Sequence, residues 1–414
     1  MGVAAYHARM SENDGAHAQI LIVGGGLVGS SLALALDAVG IACTLVEAAP
    51  QRTDAPSVEE RNLALARATV NGLQAIGVWA HAQAEAQPMR GVLVSRAGDF
   101  GSLRLHAHEA GLDSIGHTLP ARALGAALQS ALGVARQVEH LAPARVRALH
   151  VDAAAARVEI ETAQGVLTRR YALVVGADGS ESLVRAALGI GVQRHDYRQS
   201  LIVGQVRCAR ALDGVAYERL GDDGPAALLP LAGARAGLVL GVAAEACDAV
   251  LALDEVAYLA YAQQRLGWRA GRLLHAARRQ AWPIRRSVAA ALVATRAVLV
   301  GNAAQTVHPI GAQGFNLGLR DALTLAELLA AGGDPGDAAR LAAYGARRAP
   351  DRDGVLRFTH ALATLGCLRQ PALAPLRSLG MLAAQVLPPL HQRLLRHGMG
   401  WRGQPPRAVL ETLP

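Results

Sequence analysis

The stretch Gln19-Ile20-Leu21-Ile22-Val23-Gly24-Gly25-Gly26-Leu27-Val28-Gly29-Ser30-Ser31-Leu32-Ala33-Leu34-Ala35-Leu36 carries the reading that decides the fold. Residues 19–23 have the pattern of a strand buried on both faces. Gly24, Gly26 and Gly29 then give G-x-G-x-x-G, and residues 30–38 continue as an apolar helix. A second apolar run, residues 40–46, ends at Glu47. In a strand–turn–helix of this kind the first glycine makes the tight turn and the second lets backbone approach a pyrophosphate. The third lets helix and strand pack closely, and an acid at the end of the second strand takes ribose hydroxyls. Leu27 and Val28, at the helix start, belong to the same phosphate-facing turn. The acid disfavours a 2′-phosphate, and the fingerprint alone leaves NAD and FAD both open. Residues 20–36 are also long and apolar enough to suggest a membrane span, but four glycines inside them read better as strand, turn and helix.

The 414 residues allow a large core and two or three structural units. The net charge is +8, and every one of the 41 basic residues is Arg. The absence of Lys excludes a Lys Schiff base, a Walker-type phosphate loop and a Lys general base. The arginines are scattered and aromatics make up only 3%, so nucleic acid is an unsuitable partner. An anionic cofactor or membrane surface suits the charge. Cys43, Cys208, Cys247 and Cys367 match no metal or redox spacing and read as small buried hydrophobes. No metal site is expected: His106 and His108 flank only Ala107, and nothing nearby completes a ligand set. Residues 1–17 lack a signal-peptide pattern.

Two further signals follow. Residues 172–175 form an apolar strand that ends in Gly176-Ala177-Asp178-Gly179-Ser180, with Ser182 and Arg185 after it. Asp178 reads either as an acceptor for a ribityl or ribose chain or as a plain helix N-cap. Residues 297–300 feed the polar loop Gly301-Asn302-Ala303-Ala304-Gln305-Thr306-Val307-His308-Pro309-Ile310-Gly311-Ala312-Gln313-Gly314-Phe315-Asn316, which opens an apolar-periodic helix. Free N–H groups at such a helix start suit an electron-rich ligand. Arg61 and Arg122 each stand just ahead of or at a helix start, an odd place for a cation; each reads as a phosphate contact or as solvated surface. Residues 89–106 and 197–242 alternate like antiparallel strands, and the chain beyond residue 345 is helical.

The three signals, in this order, resemble the class A flavoprotein monooxygenases with the para-hydroxybenzoate hydroxylase fold, over residues 18–345. Within them the chain is similar to the ubiquinone-biosynthesis hydroxylases, through Arg61-Asn62-Leu63-Ala64-Leu65-Ala66, Gly77-Val78-Trp79 and residues 224–231. Gly301-Asn302-Ala303-Ala304-Gln305 resembles the variant in 2-octaprenyl-6-methoxyphenol hydroxylase, where most of the wider family has Gly-Asp-Ala-Ala-His. Gly311-Ala312 reverses the common Ala-Gly order, and Leu240 stands where an aromatic is frequent. The resemblance implies an α/β fold: a Rossmann-like FAD-binding domain (residues 18–85, 112–190 and 282–345), an inserted β-sheet substrate domain (86–111 and 191–281) and a helical C-terminal region (346–414). It implies FAD held by Gly24, Gly26, Leu27, Val28, Gly29, Glu47, Arg61, Arg122, Asp178 and Asn302. Pro309 would lie beside the flavin ring, with the N–H groups of Gly314, Phe315 and Asn316 at its pyrimidine end. NADPH or NADH would be a transient reductant, and a flavin C4a-hydroperoxide would pass oxygen to the ring of a polyprenyl phenol. His308 is a weak candidate for a chemical role, and a lone His before Pro is more often structural. The expected location is the cytoplasm. The amphipathic, basic residues 376–396, split by Pro388-Pro389, offer a contact to the inner face of the membrane or to a partner of a biosynthetic complex. Two other readings are another FAD oxidoreductase of the same fold and a non-catalytic scaffold of a quinone-biosynthesis complex.

Overall fold

A computed structural model describes residues 19–50, 61–367 and 370–410, so the N-terminal residues 1–18 lie outside the description. From the start, β1 (Ile20–Val23), α1 (Leu27–Ala38) and β2 (Cys43–Val46) form a β-α-β unit. After β3 (Asn62–Ala66) and α2 (Arg67–Ala75) come β4 (Gln87–Met89), β5 (Gly91–Arg96) and β6 (Ser102–His106). The Arg61-Asn62-Leu63-Ala64-Leu65-Ala66 stretch is thus a strand that leads directly into α2, just ahead of a helix as expected. β7 (Gly116–Pro120), α3 (Ala121–Leu132) and β8 (Val138–Leu141) lead to an antiparallel three-stranded flap of β9 (Ala144–Val151), β10 (Ala156–Thr162) and β11 (Gly165–Tyr171). β12 (Leu173–Gly176) and α4 (Leu183–Ala187) follow.

The middle of the chain supplies β13 (Val192–Cys208), β14 (Val215–Leu220), β15 (Ala226–Pro230), β16 (Arg235–Ala243), helix α5 (Glu255–Leu266) and the long β17 (Leu273–Ala289). β18 (Val293–Ala294), β19 (Ala297–Leu299) and β20 (Gln305–Thr306) precede α6 (Gln313–Leu329) and α7 (Ala338–Thr364). The chain ends in α8 (Ala374–Val386) and α9 (Pro388–Gly398), and the Pro388-Pro389 pair separates them.

Two sheets position the site. The first runs β18-β19-β12-β1-β2-β8, with β1 parallel to both β12 and β2. β1, β2, β12 and β19 are buried throughout, which is why they read as unbroken apolar runs. The chain leaves β1 toward β2 on one side and returns to β12 on the other. The carboxyl end of β1 is thus a topological switch point, where such sheets bind ligands. The second sheet runs β20-β17-β13-β16-β15-β14-β5-β6. It is antiparallel except where β14 pairs with β5 in parallel. One of its faces packs on α5, whose Tyr258, Ala262 and Leu266 join Ile202, Leu238 and Leu240 in a second core. All four cysteines are free and buried, as small hydrophobes in the packed interior.

Candidate active site

Helices α1 and α6 both point their N-termini into one cavity of about 1400 Å³. Small-molecule sites are ordinarily about 300–1,000 Å³, so this one has room for more than one ligand. Neither helix start has a side-chain cap or an acid in its first turn. Their first N–H groups are thus left for something other than the protein's own side chains. The α1 turn is shaped by close approach. A Cβ on Gly29 would lie 1.9 Å from the Gly24 carbonyl oxygen, whereas one on Gly26 would meet only open space. The α6 turn is shaped by backbone twist: Gly311 (φ 69°) and Ala312 (φ 50°) are both left-handed. The Gly311-Ala312 order puts a Cβ in that conformation, at a cost on the order of 1–2 kcal/mol. The two helices meet where Gly318 of α6 packs on Val28 of α1; a Cβ on Gly318 would come within 2.7 Å of the Val28 side chain.

The structure brings most of the expected residues together. Gly24, Gly26, Leu27, Val28, Glu47, Arg61, Asp178, Asn302, Pro309, Gly314 and Phe315 all line the cavity. Glu47 is held at the end of β2 by hydrogen bonds from the backbone N–H of Gly25 (2.6 Å) and Ala49 (2.8 Å). Asp178 accepts from the Val184 N–H with one oxygen, while the other is buried with no protein partner. The helix cap proper is Ser182, which accepts from the Arg185 N–H. The Arg61 guanidinium lies 5.4 Å from the centre of the Trp282 ring.

Four expected residues sit elsewhere. Gly29 is behind the turn, against Gly24. Arg122 does not line the cavity; it pairs with Glu85 at 2.7 Å on the exposed surface. The Asn316 side chain is committed to protein partners, accepting from the Ala66 N–H and the Thr69 hydroxyl and donating to the carbonyls of Ala64 and Ala312. His308 is fully buried away from the cavity, with Nδ1 accepting from the Ile310 N–H and its ring edge-on to Tyr197. Burial, and then His360, push it from the ordinary 6.5 down to about 4.

A family described as "FAD binding domain" matches residues 17–359. Ubiquinone hydroxylase UbiL of Rhodospirillum rubrum is 37% identical over 92% of this chain and 90% of its own. The 3-demethoxyubiquinol 3-hydroxylase of Escherichia coli is 31% identical over 92% of this chain and 98% of its own. The chain belongs to the FAD-dependent aromatic monooxygenases of the ubiquinone hydroxylase family. Solved structures agree on the fold. The p-nitrophenol 4-monooxygenase PnpA of Pseudomonas putida superposes with a TM-score of 0.75 at 20% identity, over 94% of this chain and 98% of its own. PqsL of Pseudomonas aeruginosa, in complex with 2-aminobenzoylacetate, superposes with a TM-score of 0.74 at 26% identity, over 89% of this chain and all of its own.

The monooxygenase cavity fits FAD by its donor set. Uncapped helix N-termini stand at two places along the cavity, suited to a pyrophosphate at one and an electron-rich ring at the other. Two acceptors on the same cavity wall, Asp178 Oδ1 and, at the α6 start, Gln313 Oε1, are buried and unpartnered by protein. Such groups ask for a ligand's hydroxyl or N–H. Two arrangements that steady this wall were not assigned from the sequence. Arg185 donates to the carbonyls of Ala303 (2.9 Å) and Ser180 (2.8 Å), tying the Asp178 turn to the Gly301 loop. Behind the loop, Gln305 donates to Asp321 and accepts from Arg352, and Asp321 also accepts from the Gly301 N–H. Arg348 joins Asp321 to Asp351, and Arg320 bonds Asp351 at 2.7 Å, all four buried. Burial pushes Asp351 up, but Arg320 and Arg348 hold it below the usual carboxylate range.

Proposed function

We infer that this chain is a FAD-dependent monooxygenase that uses NAD(P)H and O2 to hydroxylate the aromatic ring of a polyprenyl phenol in ubiquinone biosynthesis. One observation carries the reading. A single cavity runs from the Gly24 turn, past the α6 N-terminus, along the long sheet and out to α8 and α9. FAD, when bound there, supplies hydride acceptance from the nicotinamide and the activation of O2. The chain's own residues place and protect. The opening N–H groups of α1 would hold the pyrophosphate and Glu47 the ribose. Asp178 and Asn302 would take the ribityl hydroxyls. The α6 N-terminus would favour negative charge at the adjoining end of the ring. Apolar side chains from β5, β6, β13 and β15 would keep water from the reacting ring.

The far end of the cavity suits a prenyl chain. Gly380, Met381, Ala384, Leu394 and Leu395 line it from α8 and α9. The outer face of the same helices exposes Leu376, Leu379, Leu382 and Val386, with Arg393 and Arg396 exposed nearby. That pattern suits a peripheral contact with an anionic membrane, from which such a substrate would enter. Among the described residues no helix is long and apolar enough to cross a membrane.

The purified protein should show a bound-flavin absorption spectrum and oxidise NADH or NADPH faster when a prenylated phenol is added under air. Mass and ring position of the product identify the carbon attacked. Bound flavin with no substrate-stimulated oxidation would reject the hydroxylase reading. Cosedimentation with phosphatidylglycerol vesicles, weakened by Leu379→Asp with Leu382→Asp, tests the membrane contact.

A further inference from the structure

On β14, Ala216, Glu218 and Leu220 share one face by strand alternation, and all three line the cavity. Around them the sheet wall is largely apolar, with Val92, Val94 and Leu229 nearby in the same lining. Among the described residues, Glu218 is the one carboxylate that any strand of this sheet brings to the cavity. Its Oε1 lies 3.4 Å from the Gly311 backbone nitrogen, which donates a long hydrogen bond to it. Gly311 belongs to the left-handed turn that opens α6, so this carboxylate stands beside the ring end of the cofactor site. A carboxylate on an apolar wall costs folding free energy unless something uses it. Burial pushes Glu218 above the usual carboxylate range, opposed by the Gly311 N–H. A raised carboxyl in a cleft, beside a specific partner, is a functional-site candidate.

We propose that Glu218 is the base that takes the phenol proton of the substrate, an assignment that rests on the hydroxylase reading above. The phenol O–H bond breaks and the proton moves to a Glu218 oxygen. The electron pair stays on the phenolate oxygen and is shared into the ring, which then meets an electrophilic oxygen more readily. The apolar wall brings the acid and the phenol closer in proton affinity, the condition under which general bases work best.

The groups around Glu218 do not take over this task. The Cys367 thiol is pushed up by burial and, less strongly, by the Glu218 charge. Arg96 is engaged by the Gly366 carbonyl and Asp222. Another proton acceptor in the cavity lining is His397 at the end of α9, which burial and then Arg402 hold below the usual imidazole range.

The test compares wild type with Glu218→Gln, Glu218→Asp and His397→Gln as flavin-loaded full chains. Each is assayed with 2-prenylphenol and with a ring-fluorinated counterpart whose hydroxyl ionises at lower pH. Glu218→Gln should keep its flavin and its rate of flavin reduction, lose about 100-fold or more in substrate-stimulated turnover, and lose the acidic limb of the kcat/KM profile. The fluorinated phenol should restore much of the rate, because it arrives already ionised. Glu218→Asp should retain the limb at reduced rate, and it stands in if the Gln variant folds poorly. A Glu218→Gln enzyme that keeps both rate and limb, or a limb that disappears only in His397→Gln, overturns the assignment. A wild-type enzyme that hydroxylates no phenol overturns the hydroxylase reading instead.

Discussion

The two helix N-termini that meet at the cavity are built in opposite ways. The α1 end is made of backbone: Gly24 and Gly29 in contact, a buried apolar strand behind and apolar helix residues beneath. The α6 end is held by side chains. Arg320, Asp321, Arg348 and Asp351, joined by Gln305 and Arg352, fix the Gly301 loop to α6 and α7. Sterics need no partner, so the first end is local in sequence. The second draws on α7, beyond the helix it opens, and couples the ring end of the site to the packing of a distant segment. A buried ion cluster of this kind adds little net stability over well-packed apolar residues, but removing one member is costly, because the remaining charge is left unpaired.

The largest difference between the ends should therefore appear when the cluster is cut. Asp351→Ala leaves Arg320 without its carboxylate and Arg348 with only Asp321. A loss of about 3–5 kcal/mol in unfolding free energy is expected. It should show in denaturant melts of the flavin-free protein, with the Gly24 end still able to bind adenine dinucleotides in whatever fraction stays folded.

Acid should pick out the same region next. His308 lies under the Gly301 loop beside Tyr197 and His360, and its folded value of about 4 is below the ordinary 6.5. Its neutral form is favoured by folding, so the stability is complete above about pH 6.5 and lost as pH falls toward 4. The shift corresponds to a loss on the order of 3 kcal/mol. His117, pushed down to about 4 by burial and then Arg67, adds a slope of the same sign. Melts of His308→Gln across pH 7 to 4 should be flatter than wild type by the His308 share; an equal slope would show that His308 is not the sensor.

What was legible follows the same division. The β1–α1 unit announced itself because a period change and fixed glycine spacing are local signals. The Asp178 turn and the Gly301 loop were legible for the same reason. The side-chain network was not. Arg348 and Asp351 sit in a helix with weak periodicity that Pro350 interrupts, and nothing local tells a buried arginine from a solvated one. Asn316 looked like part of a ligand-facing turn, yet its amide clamps β3 to α6, a contact between residues 250 apart. Glu218 fell in an alternating strand, where an acid reads as solvent-facing until the cavity is known.

At the α1 end the expected failure is one of binding rather than folding. Gly29→Ala would place a Cβ 1.9 Å from the Gly24 oxygen. The backbone must shift, and overpacking of this kind costs about 1–3 kcal/mol. The turn gives way first, so the cost should appear as weaker FAD retention, measured as flavin stoichiometry after gel filtration, with a much smaller change in melting than Asp351→Ala causes. Equal losses of both would mean that the two ends are not independent.

The smallest effect sharpens the comparison from outside it. Arg122 stands at the second residue of α3, where its charge opposes the helix dipole, and it pairs with Glu85 while both remain well exposed. An exposed pair of this kind contributes at most about 0.2–1 kcal/mol, and the unfavourable dipole takes back part of that. Arg122→Ala should leave flavin stoichiometry and turnover at wild-type levels and move the melting free energy by a few tenths of a kcal/mol. Because the residue lies beside the same nucleotide-binding sheet yet touches neither helix start, it is the proper control for Gly29→Ala. A fall in flavin affinity in the Arg122 variant would mean that the pyrophosphate end reaches beyond the glycine turn, and the contrast between a backbone-built end and a side-chain-built end would have to be redrawn.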